Sequence, residues 1–181
     1  QETARSAPAQ LRRVVAEDLH CTVAFLGGCG ERRALAAWQA VAGLRTDAIA
    51  VRAAAWRSLG SPQQPSAYGL SFGEGHAPLC ALLQRWEPVA REAAGLKPSA
   101  PRRSEAARTV EPMRAWMAQA PLPEAMVLLQ ELALWTWDPE RHERLFRIIA
   151  RRPLGWESGH QATIGEEEIQ QRWAGPRQPL A

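Results

Sequence analysis

The run Val15-Ala16-Glu17-Asp18-Leu19-His20-Cys21-Thr22-Val23-Ala24-Phe25-Leu26-Gly27 governs how the rest of the chain is read. Leu19 to Leu26 lacks helical spacing, so a strand is predicted. Successive side chains of a strand leave opposite faces. Leu19, Cys21, Val23 and Phe25 would share one side, and His20, Thr22, Ala24 and Leu26 the other. Gly27, Gly28 and Gly30 then break the strand. An imidazole and a hydroxyl on one face suit a phosphate. The first moves a proton near neutral pH, and the second donates a hydrogen bond to a phosphoryl oxygen. Alone, H-x-T is a short pattern that arises often by chance.

Outward from this run the elements alternate. Residues 1–12 are polar and alanine-rich and carry no strand pattern. Glu31 to Leu44 predicts a helix, with Leu35, Trp38 and Val41 at helical spacing. Ile49 to Trp56 and Ser66 to Phe72 predict strands around the loop Gly60 to Pro65. Tyr68, Leu70 and Phe72 would share a face. Ala77 to Ala94 is the clearest helix, with Leu79, Leu82, Leu83 and Trp86 forming an apolar stripe. Pro98 and Pro101 mark a loop. Glu111 to Gln119 predicts a short helix, and Met126 to Trp137 and Leu145 to Arg151 two further strands. The order is α+β with antiparallel sheets, not the strict alternation of a doubly wound fold. The domain is expected to span residues 1–154. Residues 155–181 form a tail, with a helical turn or two over Glu166 to Trp173.

Composition narrows the function classes. The chain has 181 residues, of which 46% are hydrophobic and 23% charged. That suffices for one globular domain, or two small lobes, with a buried core, and excludes disorder for most of the length. No apolar run approaches the roughly 18–20 residues a membrane helix needs, and no signal-peptide pattern opens the chain. Net charge is +3, which permits a polyanionic partner without requiring one. The three cysteines, Cys21, Cys29 and Cys80, lack a C-x-x-C pair, and no two of the four histidines stand at metal-ligand spacing. Neither a disulfide framework nor a metal is expected, and a reducing, cytoplasmic setting fits best.

Val15 to Gly27 resembles the first signature of the two-histidine phosphoesterases. Within that superfamily it resembles the bacterial RNA 2′,3′-cyclic phosphodiesterases, also called 2′-5′ RNA ligases. Their signature has an acidic residue or Asn, then Leu, H-x-T, two variable residues and Phe-Leu-Gly. The resemblance extends over residues 13–154, through Ala67-Tyr68-Gly69-Leu70-Ser71-Phe72, the helix ending in Ala94-Gly95-Leu96, and Phe146-Arg147-Ile148-Ile149-Ala150-Arg151-Arg152-Pro153-Leu154. It implies two lobes of antiparallel sheet flanked by helices around a central cleft, each lobe offering one H-x-T. It also implies general acid–base opening of 2′,3′-cyclic phosphate ends to 2′-phosphates, without metal or other cofactor. The expected partners are RNA ends or nucleotide cyclic phosphates, with no membrane.

The family's second H-x-T lies beyond a proline-rich loop, usually as Pro-His-x-Thr-x-Ala-Arg. Here the loop Lys97-Pro98-Ser99-Ala100-Pro101 leads into Arg102-Arg103-Ser104-Glu105-Ala106-Ala107-Arg108. Aligned on Ala107-Arg108, Arg103 takes the histidine's place and Glu105 the threonine's. No histidine occurs between His76 and His142. Arg103 cannot exchange a proton at neutral pH, but it can grip a phosphate as a fork. Glu105 beside a phosphate dianion is repelled, and acts as an acid only if held protonated. The candidate catalytic residues are therefore His20 and Thr22. Arg108 and Arg103 are the phosphate-binding candidates, and Glu105 is the remnant of a second half-site. The alternative is a catalytically weak or inactive descendant that binds RNA or a nucleotide. A third reading, an interaction protein with a fortuitous H-x-T, predicts a buried His20.

Other motifs have plainer readings. His160, in H-x-x-T, would put its two side chains on opposite faces of a strand. His76 opens a helix and His142 sits in a turn, so both read as surface residues. Trp38, Trp86 and Trp116 fall on helical stripes and read as core. Trp135 and Trp137 share a strand face, with core packing preferred over base stacking. Arg151 and Arg152, like the Arg102-Arg103-Arg108 cluster, form either a phosphate-facing rim or a solvated surface.

Overall fold

Two glycine-bounded helices and a set of hairpin-like strand pairs organise the chain. The computed structural model describes residues 7–8, 11–12, 14–60, 65–99, 111–140 and 144–155. In chain order these form a 3-10 turn at Ala16–Asp18, α1 (Glu31–Ala42), β1 (Ile49–Val51), β2 (Ala53–Gly60), β3 (Pro65–Phe72), α2 (His76–Ala93), α3 (Glu111–Gln119), β4 (Val127–Leu129), β5 (Glu131–Trp137) and β6 (Phe146–Pro153). The fold is mixed α+β, with three helices and three two-stranded antiparallel sheets among the described residues. The chain divides into two compact units, and the division falls inside α2. One holds Gln1–Arg13, Ile49–Ala81 and Ser99–Leu129; the other holds Val14–Ala48, Leu82–Pro98 and Gln130–Ala181.

In the first unit β1 pairs with β4, and β2 with β3. The stretch read as one strand from Ile49 to Trp56 is interrupted at Arg52, whose N–H and carbonyl bond Glu74 and Gly73. Its guanidinium also reaches the Glu74 carboxylate and the Glu124 carbonyl. Gly75 follows with φ +77, and a Cβ there would collide with the Ala50 carbonyl. Only glycine lets the chain pass so close to β1 before entering α2. Trp56 lies 5.0 Å from Trp116 of α3 and donates its indole N–H to the Ala120 carbonyl at 3.3 Å.

In the second unit α1 covers one face of the β5–β6 hairpin. Ala34, Leu134, Ile149 and Ala150 form its core, with Leu26, Cys29, Leu35 and Trp38 packed against it. Ile149 has no exposed surface; burying such a side chain contributes roughly 1.5–3 kcal/mol. Trp86 of α2 is likewise fully buried. The predicted stripe on α1 is rotated slightly: Ala34, Ala37 and Val41 are the buried residues, because small side chains allow the closest approach to a sheet. The stretch read as one strand from Met126 to Trp137 splits at Gln130, so β4 and β5 join different sheets. The Gln130 carbonyl accepts instead from Leu154.

The clearest correction concerns Leu19 to Leu26, which forms no strand. Side chains occupy main-chain acceptors that a ladder would use: His20 bonds the Asp18 carbonyl and Arg91 the Phe25 carbonyl. Leu19 and Phe25 are 70% and 66% exposed, so the two-sided alternation does not correspond to one buried face. The tail from residue 156, with the predicted helical turn at Glu166 to Trp173, lies outside the described residues.

Candidate functional site

The 3-10 turn at Ala16–Asp18 aims the chain at His20. Asp18 ends that turn and is the buried charged residue of the described chain, only 1% exposed. A buried carboxylate is costly unless its oxygens are bonded. Those of Asp18 accept the main-chain N–H of Leu145 at 2.5 Å and Nε of Arg144 at 3.3 Å. Arg144 also reaches the Glu17 carbonyl at 3.5 Å. These bonds fasten the turn to the start of β6.

The Asp18 main-chain carbonyl receives a hydrogen bond from Nδ1 of His20 at 2.7 Å. A carbonyl can only accept, so the proton of the neutral ring sits on Nδ1 and the lone pair on Nε2. The ring is wedged between aromatic side chains of the β5–β6 hairpin. It lies 5.0 Å from Trp135, inclined by 30°, and 5.0 Å from Phe146, edge to face. Trp137 stacks on Phe146 at 4.8 Å. A tethered Nδ1 and two flanking rings fix the plane of the imidazole, while His20 itself remains exposed. Thr22, two residues on, is exposed as well. The arrangement offers an oriented proton acceptor with a hydroxyl nearby in the chain. The exposure of His20 goes against the reading of a fortuitous, buried H-x-T.

Arg103, Glu105 and Arg108 lie outside the described residues, as do His142 and His160. Arg152 is no part of a phosphate rim. Its guanidinium donates to the carbonyls of Leu44 at 2.5 Å and Val41 at 3.4 Å, and sits 5.5 Å from the Trp86 ring. Burial there lowers its pKa. Arg151 is exposed and lies 3.8 Å from the Glu131 carboxylate.

Two features went unread in the sequence. The Asp18 clamp is one: an acidic residue two before the histidine was its signal, but its partners are more than a hundred residues away. The other pairs His76 and Cys80, whose Sγ and Nε2 are 3.3 Å apart one helical turn along α2. Their i, i+4 spacing could have revealed it. None of the three cysteines is in a disulfide. Among the described residues, no three His, Cys, Asp or Glu side chains converge to hold a metal ion, and no helix is long and apolar enough to cross a membrane. No family model matches the chain, and neither a curated protein nor a solved structure matches it.

Proposed function

We propose that this chain is a phosphoesterase of the two-histidine type, with two lobes about a cleft, opening 2′,3′-cyclic phosphate ends of RNA or nucleotides to 2′-phosphates. The observation that carries the reading is the Nδ1-tethered, exposed imidazole of His20 within the H-x-T run. In the reaction a water oxygen bonds to phosphorus, the bond from phosphorus to O3′ breaks and O3′ is protonated, and the water releases one proton. Nε2 of His20 takes or returns that proton, and the Thr22 hydroxyl donates to a phosphoryl oxygen. Arg108 and Arg103, read from the sequence, would balance phosphate charge. The second reading is a descendant of the same fold that binds cyclic phosphate and turns it over poorly. Arg103 and Glu105 in place of the second histidine and threonine favour it.

Hydrolysis of a nucleoside 2′,3′-cyclic phosphate, with and without a chelator, tests both. Chelator-insensitive turnover that falls about 10²–10⁴-fold in His20→Ala, the usual worth of one positioned acid or base, supports the enzyme. Absent turnover, with cyclic-phosphate binding weakened by Thr22→Ala or Arg108→Ala, supports the binding descendant. Neither turnover nor binding would overturn both.

A further inference from the structure

His76 and Cys80 form an imidazole–thiol pair that the proposed reaction does not use. The chain enters α2 through the turn at Gly75, and the His76 N–H bonds the Gly73 carbonyl at 3.2 Å. That bond fixes the first residue of the helix. Helical side chains tilt back toward the N-terminus, so the side chain at i+4 lies over residue i. Sγ of Cys80 accordingly stands 3.3 Å from Nε2 of His76 and 3.9 Å from Nδ1. The nearer distance suits a proton shared between sulfur and nitrogen: S–H donates to a bare Nε2, or Nε2–H donates to a thiolate. Both residues belong to the first unit. His76 is exposed and Cys80 partly exposed.

Cys29 provides the contrast. It is partly exposed as well, so access alone does not separate the two. Its Sγ donates to the Gly30 carbonyl at 3.5 Å. A carbonyl takes no proton from a thiol, whereas an imidazole nitrogen can.

We propose that Cys80 is a thiol-modification site that takes up a small disulfide, with His76 as its base. The inference stands apart from the phosphoesterase reading. As Sγ attacks, its proton passes to Nε2 of His76. Sγ bonds to one sulfur of the small disulfide, the reagent's S–S bond breaks, and the departing thiolate takes the proton back. One mixed disulfide and one small thiol result, and no other oxidant is needed. The partial burial of Cys80 suits a small disulfide over one held in another protein's surface.

The test incubates the parent and His76→Gln with glutathione disulfide at neutral pH. Peptide mass spectrometry follows the mixed disulfide at each cysteine. Glutamine keeps a hydrogen-bonding side chain but takes up no proton. In the parent, Cys80 is expected to react about tenfold faster than Cys29. In His76→Gln, Cys80 should slow about tenfold and Cys29 should not change. The factor is modest because an unaided cysteine is already a few per cent thiolate at pH 7, so a base has little more to add. A parent in which Cys80 reacts no faster than Cys29 overturns the proposal. So does a folded His76→Gln, with the parent's circular dichroism, whose Cys80 keeps the parental rate. If the variant does not fold, the parent in urea replaces it. The advantage of Cys80 over Cys29 should vanish there, and an advantage that persists overturns the proposal.

Discussion

Asp18 and His20 act as one device through two different groups of the same residue. The Asp18 side chain fastens the backbone to Leu145 and Arg144, and its main-chain carbonyl sets the tautomer of His20. Removing the carboxylate therefore loosens the imidazole's support without touching the imidazole. Asp18→Ala leaves the Leu145 N–H without its acceptor and is expected to cost about 2–3 kcal/mol of stability. The larger cost of stranding a buried charge does not apply, because the Arg144 side chain is 44% exposed and water can replace the lost partner. Asp18→Asn keeps an acceptor for Leu145 and should lose roughly half as much. Urea unfolding of the two variants measures the difference; equal losses would show that the bond to Leu145 contributes nothing. His20 and Thr22 could be picked out as candidates because their motif is local. The clamp could not, because a carboxylate and its N–H partner 127 residues apart leave no mark at either position.

Each of the two longer helices ends on an arginine from another element. The last turn of α1 has no basic residue, and Arg152 of β6 donates to the carbonyls of Val41 and Leu44 in its place. The end of α2 turns through Gly95, with Gly95 N–H on Glu92 and Leu96 N–H on Arg91. This is the glycine-terminated pattern that reverses the chain after a helix. Arg33 of α1 then donates to the carbonyls of Ala94 and Gly95. Cations at helix C-termini satisfy orphan carbonyls and oppose the helix dipole. Arg152→Met keeps the apolar stem near Trp86 and removes the donors, so about 1–2 kcal/mol of stability should be lost. That is the low end for charged donors, because burying the guanidinium already costs part of the gain. Chemical unfolding of the variant checks it, and an unchanged midpoint would mean that desolvation cancels the bonds. The helices were legible from their apolar spacing and from Gly95, both written in consecutive residues. The strands were less so. Periodicity identifies extended chain, but ladder partners decide whether it becomes a strand and in which sheet. That is why Leu19 to Leu26 stays outside every sheet, while β4 and β5 part company at Gln130.

At the scale of the whole molecule, charge separates recognition of one phosphate end from recognition of a long polyanion. The sequence carries 22 basic residues against 19 acidic ones, a net charge that permits a polyanionic partner without requiring one. Several arginines are also committed to internal bonds: Arg33, Arg91, Arg144 and Arg152 all donate to carbonyls or to Asp18 within the second unit. On the proposed reading, this suits a terminus gripped at its phosphate better than a backbone tracked over many nucleotides. Counterion release makes the two cases measurable. For single strands the slope of log affinity against log salt is about −0.7 per phosphate neutralised. A protein holding one or two phosphates should therefore show a slope of about −0.7 to −1.4. An oligonucleotide ending in a 2′,3′-cyclic phosphate should bind with that slope, and lengthening its 5′ side should alter neither the slope nor the affinity appreciably. Titrations of a short and a long oligonucleotide over a range of salt concentrations provide the measurement. A slope that steepens with length would mean that the chain binds along RNA, and the cyclic end would then be incidental to its recognition.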